Sequence, residues 1–131
     1  MANRDFKDVQ SIERSVKIVY GRATIGASGA PTLVAASSIG VRSIARTAAG
    51  DYTVILGSST PASTDKYNSL LWADATIIES DDTDLQIQVA SETVSAAGQF
   101  KLICTAGATP ADPPDGAVLL FKAEVKNTNV K

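Results

Sequence analysis

Two neighbouring segments decide the fold, 40-GVRSIART-47 and 51-DYTVIL-56. Both are short runs of strand-forming residues, and the link between them, Ala48-Ala49-Gly50, ends in glycine. Two such runs joined by a short link with glycine predict a β-hairpin. Successive side chains of a strand point to opposite faces. One face of the second segment then carries Tyr52, Val54 and Leu56.

The same period of two recurs along most of the chain, and turn-forming residues separate most of the runs. The other alternating runs are residues 16–25, 32–35, 67–80, 85–90, 99–105 and 117–126. The segment AGATPADPPD, residues 106–115, contains three prolines and cannot form a central strand, because proline lacks the N–H donor that a sheet requires. Eight or nine short strands of this kind predict an all-β protein, an antiparallel β-sandwich or jelly-roll-like fold.

Two of the runs assign specific side chains to opposite faces of their strands. In the first run, Val16, Ile18 and Tyr20 alternate with Lys17, Val19 and Gly21. In the run from residue 67 to residue 80, one face carries Leu71, Ala73, Ala75 and Ile77, and the other carries Trp72, Asp74, Thr76 and Ile78. Period-two alternation places each set on one side of the sheet.

Length and composition indicate one folded domain. The chain has 131 residues, of which 44% are hydrophobic and 20% charged, close to the averages for globular proteins. Residues 15–131 form the predicted sandwich, and residues 1–14 form a polar N-terminal segment with Phe6, Val9 and Ile12 at every third position. This spacing suits a short amphipathic helical turn or an extended arm, and we favour the arm because so short a helix is marginal alone.

Cysteine usage and hydropathy limit where the protein is made. The single cysteine, Cys104, excludes an intramolecular disulfide and lies in an alternating run, so we expect a small buried hydrophobic side chain. The first residues lack the apolar segment of a signal peptide, and no apolar run approaches 18 residues. We therefore expect synthesis in the cytoplasm without export.

Charge is unevenly distributed although the net charge is only −2. Residues 65–92 contain seven acids and one base, and the densest cluster is the predicted turn with Asp81, Asp82 and Asp84. Such a run is either a solvated edge or a surface that docks a basic neighbour. No overall basic field is present to attract a nucleic-acid backbone, so we expect no nucleic-acid partner.

Few residue combinations support catalysis or metal binding. Histidine is absent, which removes the commonest general base and the commonest metal ligand, and no glycine-rich phosphate loop is present. The aspartates of residues 81–84 are candidates for calcium, but the spaced ligands of a calcium loop are missing. Asp74 and Glu92 are a conceivable carboxylate pair for glycoside hydrolysis, although nothing singles them out. We expect no enzyme activity, no cofactor and no metal.

Aromatic and arginine side chains supply the remaining candidates for binding. The large amphipathic aromatic residues are Tyr20, Tyr52, Tyr67 and Trp72. Exposed in a row they would stack on sugars or bases, whereas in the core or at a subunit contact they would serve packing. Arg42 and Arg46, four residues apart on a predicted strand, share a face and are placed to contact a carboxylate on a neighbouring molecule.

Three segments resemble small virion proteins of tailed bacteriophages, the capsid decoration or cement proteins. They are SVKIVYGRATIGASGAPTLVAA at residues 15–36, GVRSIARTAAGDYTVIL at 40–56 and GATPADPPDGAVLLFKAEVKNTNV at 107–130. With the central strands, the resemblance covers residues 12–130. One departure is the loop of residues 57–65, which replaces a short Asp-Pro-Tyr turn common in that family.

The resemblance implies a function but no active-site residues. It suggests a non-enzymatic protein on the capsid exterior that binds the major capsid protein, stabilises the shell and forms a homotrimer. The contact residues expected from the sequence are Phe6, Val9, Ile12, Arg42, Arg46, Asp81, Asp82 and Asp84. The alternatives are a receptor- or glycan-binding module of a head or tail fibre, or a tail or head-to-tail component. We expect no membrane partner.

Overall fold

The protein is described by a computed structural model that covers residues 16–57, 67, 69–79 and 84–126. The predicted N-terminal arm with Phe6, Val9 and Ile12 lies outside these residues, as do Asp81 and Asp82.

Nine strands make up most of the described chain. They are β1 (Val16–Ile25), β2 (Pro31–Leu33), β3 (Val41–Ala48), β4 (Asp51–Leu56), β5 (Ser69–Ile78), β6 (Leu85–Thr93), β7 (Gln99–Ala106), β8 (Thr109–Pro110) and β9 (Val118–Lys126). The helical elements are the single turn α1 (Val94–Ala97) and two 3-10 turns, Ala27–Gly29 and Ala35–Ser37. The prediction of an all-β fold is confirmed.

Two antiparallel sheets face each other and form the sandwich. One sheet has the strand order β2-β1-β9-β5, and the other has the order β3-β4-β7-β6 with β8 paired to β7. The predicted hairpin is present as β3 and β4, and β4 pairs on its other side with β7. The first and last strands, β1 and β9, pair along nine positions in the middle of their sheet.

The core lies between the two sheets and follows the alternation of the sequence. Every second residue of β9 is buried, and Tyr52, Val54 and Leu56 of β4 are buried as predicted. Cys104 of β7 is fully buried, which confirms its role as a small core side chain. On the other faces of these strands the side chains are partly or fully exposed, except Thr53, which is 9% exposed.

The inward face of β1 is the one formed by Val19, Gly21, Ala23 and Ile25. Ile18 and Tyr20 therefore point away from the core and are each 45% exposed. Both alternating sets of this strand contain apolar residues, so the pairing with β9 decides which set is buried. The result is an outer sheet face with unusually large apolar side chains.

The predicted faces of β5 need one correction. Ala73, Ala75 and Ile77 are half-buried on the inner side as predicted, but Leu71 is exposed. A β-bulge lies between Leu70 and Trp72, and Leu70 takes the inward position opposite Val125. An extra residue in one strand leaves that residue outside the regular pairing, which explains the error at Leu71.

Two shorter predictions also differ in detail from the structure. The strand predicted at residues 32–35 is β2, which ends at Leu33 and is followed by the 3-10 turn Ala35–Ser37. The proline-containing segment 106–115 contains no central strand, as predicted: Ala106 ends β7, Thr109–Pro110 form the short strand β8, and the remaining residues form a loop. No helix among the described residues is both long and apolar enough to cross a membrane.

Gly21 allows the closest packing between neighbouring strands. It lies opposite Phe121 in the β1–β9 pair, and the Phe121 ring occupies the space where a Cβ atom of residue 21 would stand. Phe121 is buried and contacts Phe100 of the other sheet edge to face, with ring centroids 6.3 Å apart. The absence of a side chain at Gly21 thus leaves room for a ring that packs against the β1 backbone and contacts the other sheet.

We expect Gly21→Ala to lower the free energy of unfolding by about 1–3 kcal/mol, because the added methyl displaces a packed ring. Gly26→Ala is the matched control, since its Cβ atom would meet only the Ala30 carbonyl oxygen, at an ordinary 3.5 Å. Urea unfolding followed by circular dichroism measures both variants. Equal stability of the two would contradict this packing role.

Candidate functional site

The outer face of the four-stranded sheet carries most of the exposed apolar surface. Six large apolar side chains are exposed among the described residues, and five of them belong to this face: Ile18, Tyr20, Ile39, Trp72 and Ile78. Ile39 reaches it through an isolated β-bridge to Tyr20, with backbone hydrogen bonds of 3.0 and 2.8 Å. Clustering on one face distinguishes these residues from the scattered apolar side chains of an ordinary surface.

Strand register arranges this face in two adjacent rows across β1, β9 and β5. The first row contains Tyr20, Lys122 and Asp74, and the second contains Ile18, Glu124 and Trp72. The strands β1 and β5 therefore contribute the aromatic and aliphatic side chains and Asp74, while β9 between them contributes a cation and an anion. We call the group Tyr20, Arg22, Trp72, Asp74, Leu120 and Lys122 the aromatic–lysine patch.

Lys122 lies between the two exposed aromatic rings. Its Nζ atom is 5.7 Å from the centroid of the Tyr20 ring and 5.6 Å from that of the Trp72 ring. Both distances are within the range in which an ammonium group is attracted by an aromatic face. The same Nζ lies 4.0 Å from Glu124 Oε1, at the limit of an ion pair. The rings and the ammonium group hold one another in place.

The patch forms a shallow cavity of about 350 Å³. Tyr20 and Trp72 are 45% and 47% exposed, so each keeps nearly half of its surface in solvent although Lys122 lies over both rings. Asp74 Oδ1 accepts a hydrogen bond of 2.8 Å from the Ala75 N–H. The cavity combines aromatic surface with charged groups on rigid strands, which is the composition of a ligand-binding surface.

A second polar cluster, the Asp112 corner, lies at one end of the sandwich. Asp112 accepts two hydrogen bonds from Arg46, Nε to Oδ1 at 2.8 Å and Nη2 to Oδ2 at 2.7 Å. It also accepts one from the Gly50 N–H at 2.8 Å. The Tyr52 hydroxyl donates to the Gly29 carbonyl oxygen at 3.1 Å and lies 3.4 Å from Asp112 Oδ1. The corner therefore joins three separate turns.

Two backbone hydrogen bonds through Cys104 connect Gly50 to the loop that carries Asp112. Its carbonyl accepts a 2.7 Å hydrogen bond from the Cys104 N–H, and the Cys104 carbonyl accepts one of 3.0 Å from Ala111. Gly50 has φ +72°, and a Cβ atom there would lie 2.8 Å from the Ala111 nitrogen. Only glycine is compatible with both conditions, which explains the glycine that closes the predicted hairpin.

The electrostatics of the corner indicate a structural role. The hydrogen-bonded Arg46 guanidinium holds the pKa of Asp112 below its usual value, the Gly50 N–H acts in the same direction, and partial burial opposes both. The Asp112 carboxylate likewise raises the pKa of Arg46. Burial, followed by the charge of Asp112, raises the pKa of Tyr52 above its usual range. These groups keep one charge state at neutral pH and serve as fixed hydrogen-bonding partners.

The residues predicted from sequence do not form one site in the described part of the chain. Phe6, Val9, Ile12, Asp81 and Asp82 lie outside it, and Asp84 immediately precedes β6. The carboxylate that Arg46 contacts belongs to its own chain. Arg42 falls at a bulge between Val41 and Ser43, so the period-two argument that placed it beside Arg46 does not hold through that point.

The candidate carboxylate pair and the candidate aromatic residues also lie in different parts of the structure. Asp74 lies on the four-stranded sheet, whereas Glu92 lies on the other sheet and accepts a 2.8 Å hydrogen bond from the Val94 N–H. Within the described ranges, no three His, Cys, Asp or Glu side chains are grouped as a metal site would require. Tyr20 and Trp72 are exposed on one face, while Tyr52 and Tyr67 are buried.

Sequence reasoning did not identify Lys122 or Asp112. Lys122 becomes significant only when β9 is known to lie between β1 and β5, which depends on sheet order. Asp112 lies in a proline-rich loop, and its partner Arg46 is 66 residues away. The available signal was the spacing of the aspartate among the prolines, since an aspartate in such a loop commonly holds backbone N–H groups.

We expect Asp112→Asn to lower the free energy of unfolding at neutral pH. In the acid range, the free energy of unfolding of the variant should depend less on pH than that of the wild-type chain. The folded-state pKa of Asp112 is lowered, so its contribution is complete above the unfolded pKa and is lost as pH falls through the folded pKa. The wild-type chain should lose more stability than the variant as the pH falls below about 4, the ordinary pKa of an aspartate. Parallel slopes of unfolding free energy against pH would contradict this assignment.

The thiol of Cys104 should not react in the folded protein. Burial, followed by the charges of Glu79 and Asp112, raises its pKa to about 11, so at neutral pH little thiolate is present. We expect Ellman's reagent to modify the thiol at the rate of global unfolding, and readily in denaturant. Fast modification of the native protein would show that the β7 side of the core opens locally.

Comparison with known proteins adds no relative to this description. No protein-family model matches the chain, no curated protein matches it, and no solved structure matches its fold.

Proposed function

We propose that this chain is a non-enzymatic structural protein of a tailed-phage virion, which binds the outer surface of the capsid and stabilises the shell. The observation that carries the proposal is the Asp112 corner. Gly29, Arg46, Gly50, Tyr52 and Asp112 come from the three segments that resemble phage decoration proteins, and they meet in one hydrogen-bonded cluster. The three segments that carry the resemblance are therefore brought together in one structural unit of this chain.

In this proposal the mechanism is adhesion. A compact domain bound at many equivalent positions of a symmetric shell adds buried area at each position, and modest contacts sum to a large stabilisation. The partners are the major capsid protein and further copies of the chain in a homotrimer, and both follow from the resemblance. A specific contact of this kind buries about 1,000 Å² or more per copy. The protein would be made in the bacterial cytoplasm and located on the capsid exterior.

The proposed contact elements are the N-terminal arm and the acidic turn. Arg46 donates two hydrogen bonds to Asp112 of its own chain. We therefore assign its guanidinium to the stability of the fold and not to the capsid contact. Phe6, Val9 and Ile12 remain as apolar anchors, since three such side chains on a solvated tail would gain by burial. Asp81, Asp82 and Asp84 would steer the protein towards a basic capsid surface.

The proposal is tested by adding purified protein to capsids of the same phage assembled without it. We expect saturable co-sedimentation, added density on the capsid exterior in electron microscopy, and a higher temperature of capsid disruption. Capsids of an unrelated phage are the control. Saturable binding to the tail, or no binding to the matching capsid, would contradict the proposal.

Two variants assign the contact elements separately. Deletion of residues 1–14 should weaken capsid binding while the circular dichroism of the β core is unchanged. The triple substitution D81N/D82N/D84N should slow association at low salt and reduce its salt dependence, because the interactions between exposed charges are screened by salt. Full binding by both variants would remove these two elements from the contact.

A further inference from the structure

The aromatic–lysine patch has the anatomy of a binding surface, but its charges are arranged differently from those of a protein–protein contact. The cores of protein interfaces are depleted in Lys, Asp and Glu, which concentrate at the rim. Here Lys122 and Glu124 occupy the central strand and Asp74 lies beside them, while the aromatic rings stand on the flanking strands. Closing this face against an apolar protein surface would desolvate three charged groups at its centre.

A saccharide can bind the same groups without leaving the charges desolvated, because its hydroxyls form hydrogen bonds with them. A pyranose ring has an apolar face of C–H groups, which packs on an aromatic ring, and a rim of hydroxyls, which donate and accept hydrogen bonds. Tyr20 and Trp72 offer two such rings, and Lys122, Arg22 and Asp74 offer charged partners for hydroxyls. A volume of about 350 Å³ falls at the lower end of ordinary ligand sites.

The spacing of the rings indicates the size of the ligand. Because Lys122 Nζ lies 5.7 Å from one centroid and 5.6 Å from the other, the two ring centres are at most about 11 Å apart. A short oligosaccharide can therefore contact both rings, with its hydroxyls over Lys122. The rings stand on paired strands and are held by the lysine, so little side-chain freedom is lost on binding.

We propose that the aromatic–lysine patch on the outer face of the four-stranded sheet binds an oligosaccharide, with Tyr20 and Trp72 as stacking platforms and Lys122 as the central hydrogen-bond donor. This site is independent of the contacts proposed for the capsid. On a virion, a domain anchored by its arm and acidic turn would present the patch as a glycan-binding surface.

Trp72 is the only tryptophan of the chain and therefore reports on the site directly. Stacking of a sugar on its ring should shift and saturate the tryptophan fluorescence. The probes are cellotetraose, maltotetraose, chitotetraose and mannotetraose, each titrated to 10 mM, followed by an array of bacterial surface polysaccharides. We expect at least one of these saccharides to bind with a Kd of about 1 mM or lower.

Substitutions then locate the binding. Tyr20→Ala and Lys122→Met should weaken the fluorescence-detected affinity up to about tenfold, since an aromatic contact contributes about 0.5–1.5 kcal/mol and a hydrogen bond to a charged group about 1.5–3 kcal/mol. Trp72→Ala, followed by titration calorimetry, should abolish measurable binding. The matched control is Ile78→Ala, which changes a 51% exposed residue of the same strand and face, away from Lys122.

Three outcomes would overturn the proposal. The first is no binding to any tetrasaccharide or any polysaccharide of the array. The second is binding that Tyr20→Ala and Trp72→Ala leave unchanged. The third is sedimentation showing that Trp72→Ala converts an oligomer into a monomer, because the patch would then be a subunit contact. Capsid binding by the arm is measured separately, so failure of either proposal leaves the other standing.

Discussion

The Asp112 carboxylate is the interaction on which the geometry of the sandwich most depends. It joins the β3–β4 turn, through Arg46 and Gly50, to the proline-rich loop before β9, and Tyr52 connects the turn at Gly29. These segments are far apart in sequence and belong to different sheets. Their hydrogen bonds hold the β3–β4 turn of one sheet beside the loop that leads into β9 of the other sheet. Bidentate hydrogen bonds between arginine and a carboxylate are among the stronger polar contacts in proteins and have a specific geometry.

Stability and binding are assigned to different parts of the molecule. In the Asp112 corner the charged groups Arg46 and Asp112 bind each other, and Tyr52 is fully buried. On the outer face of the four-stranded sheet, by contrast, large side chains are exposed and are not part of the core. A sheet whose two faces both carry apolar residues can keep its inner face for folding and vary its outer face for recognition. The fold therefore tolerates changes at the patch that it would not tolerate at the corner.

Particular elements show what the sequence could predict. The hairpin, the long alternation of β9 and the burial of Cys104 follow from a period of two and from turn chemistry, which are local properties. The outward face of β1 does not, because Val19 and Ile18 are equally suited to a core and only pairing with β9 distinguishes them. Likewise, Lys122 lies beside two aromatic rings only because of the strand order. Arg46 binds a carboxylate that is 66 residues away in the sequence. Such long-range pairings are outside the reach of periodicity.

The pairing of the first strand with the last has a mechanical consequence. Val16 lies directly opposite Lys126 in an antiparallel pair, so the chain enters and leaves the described sandwich at neighbouring positions. Tension applied at those two positions pulls the two strands apart from one end, and the hydrogen bonds between them break one after another. A load in this direction meets much less resistance than one that shears the strands past each other. Anchoring by a single end would leave the sandwich unloaded, whereas anchoring by both would make this seam its weakest point.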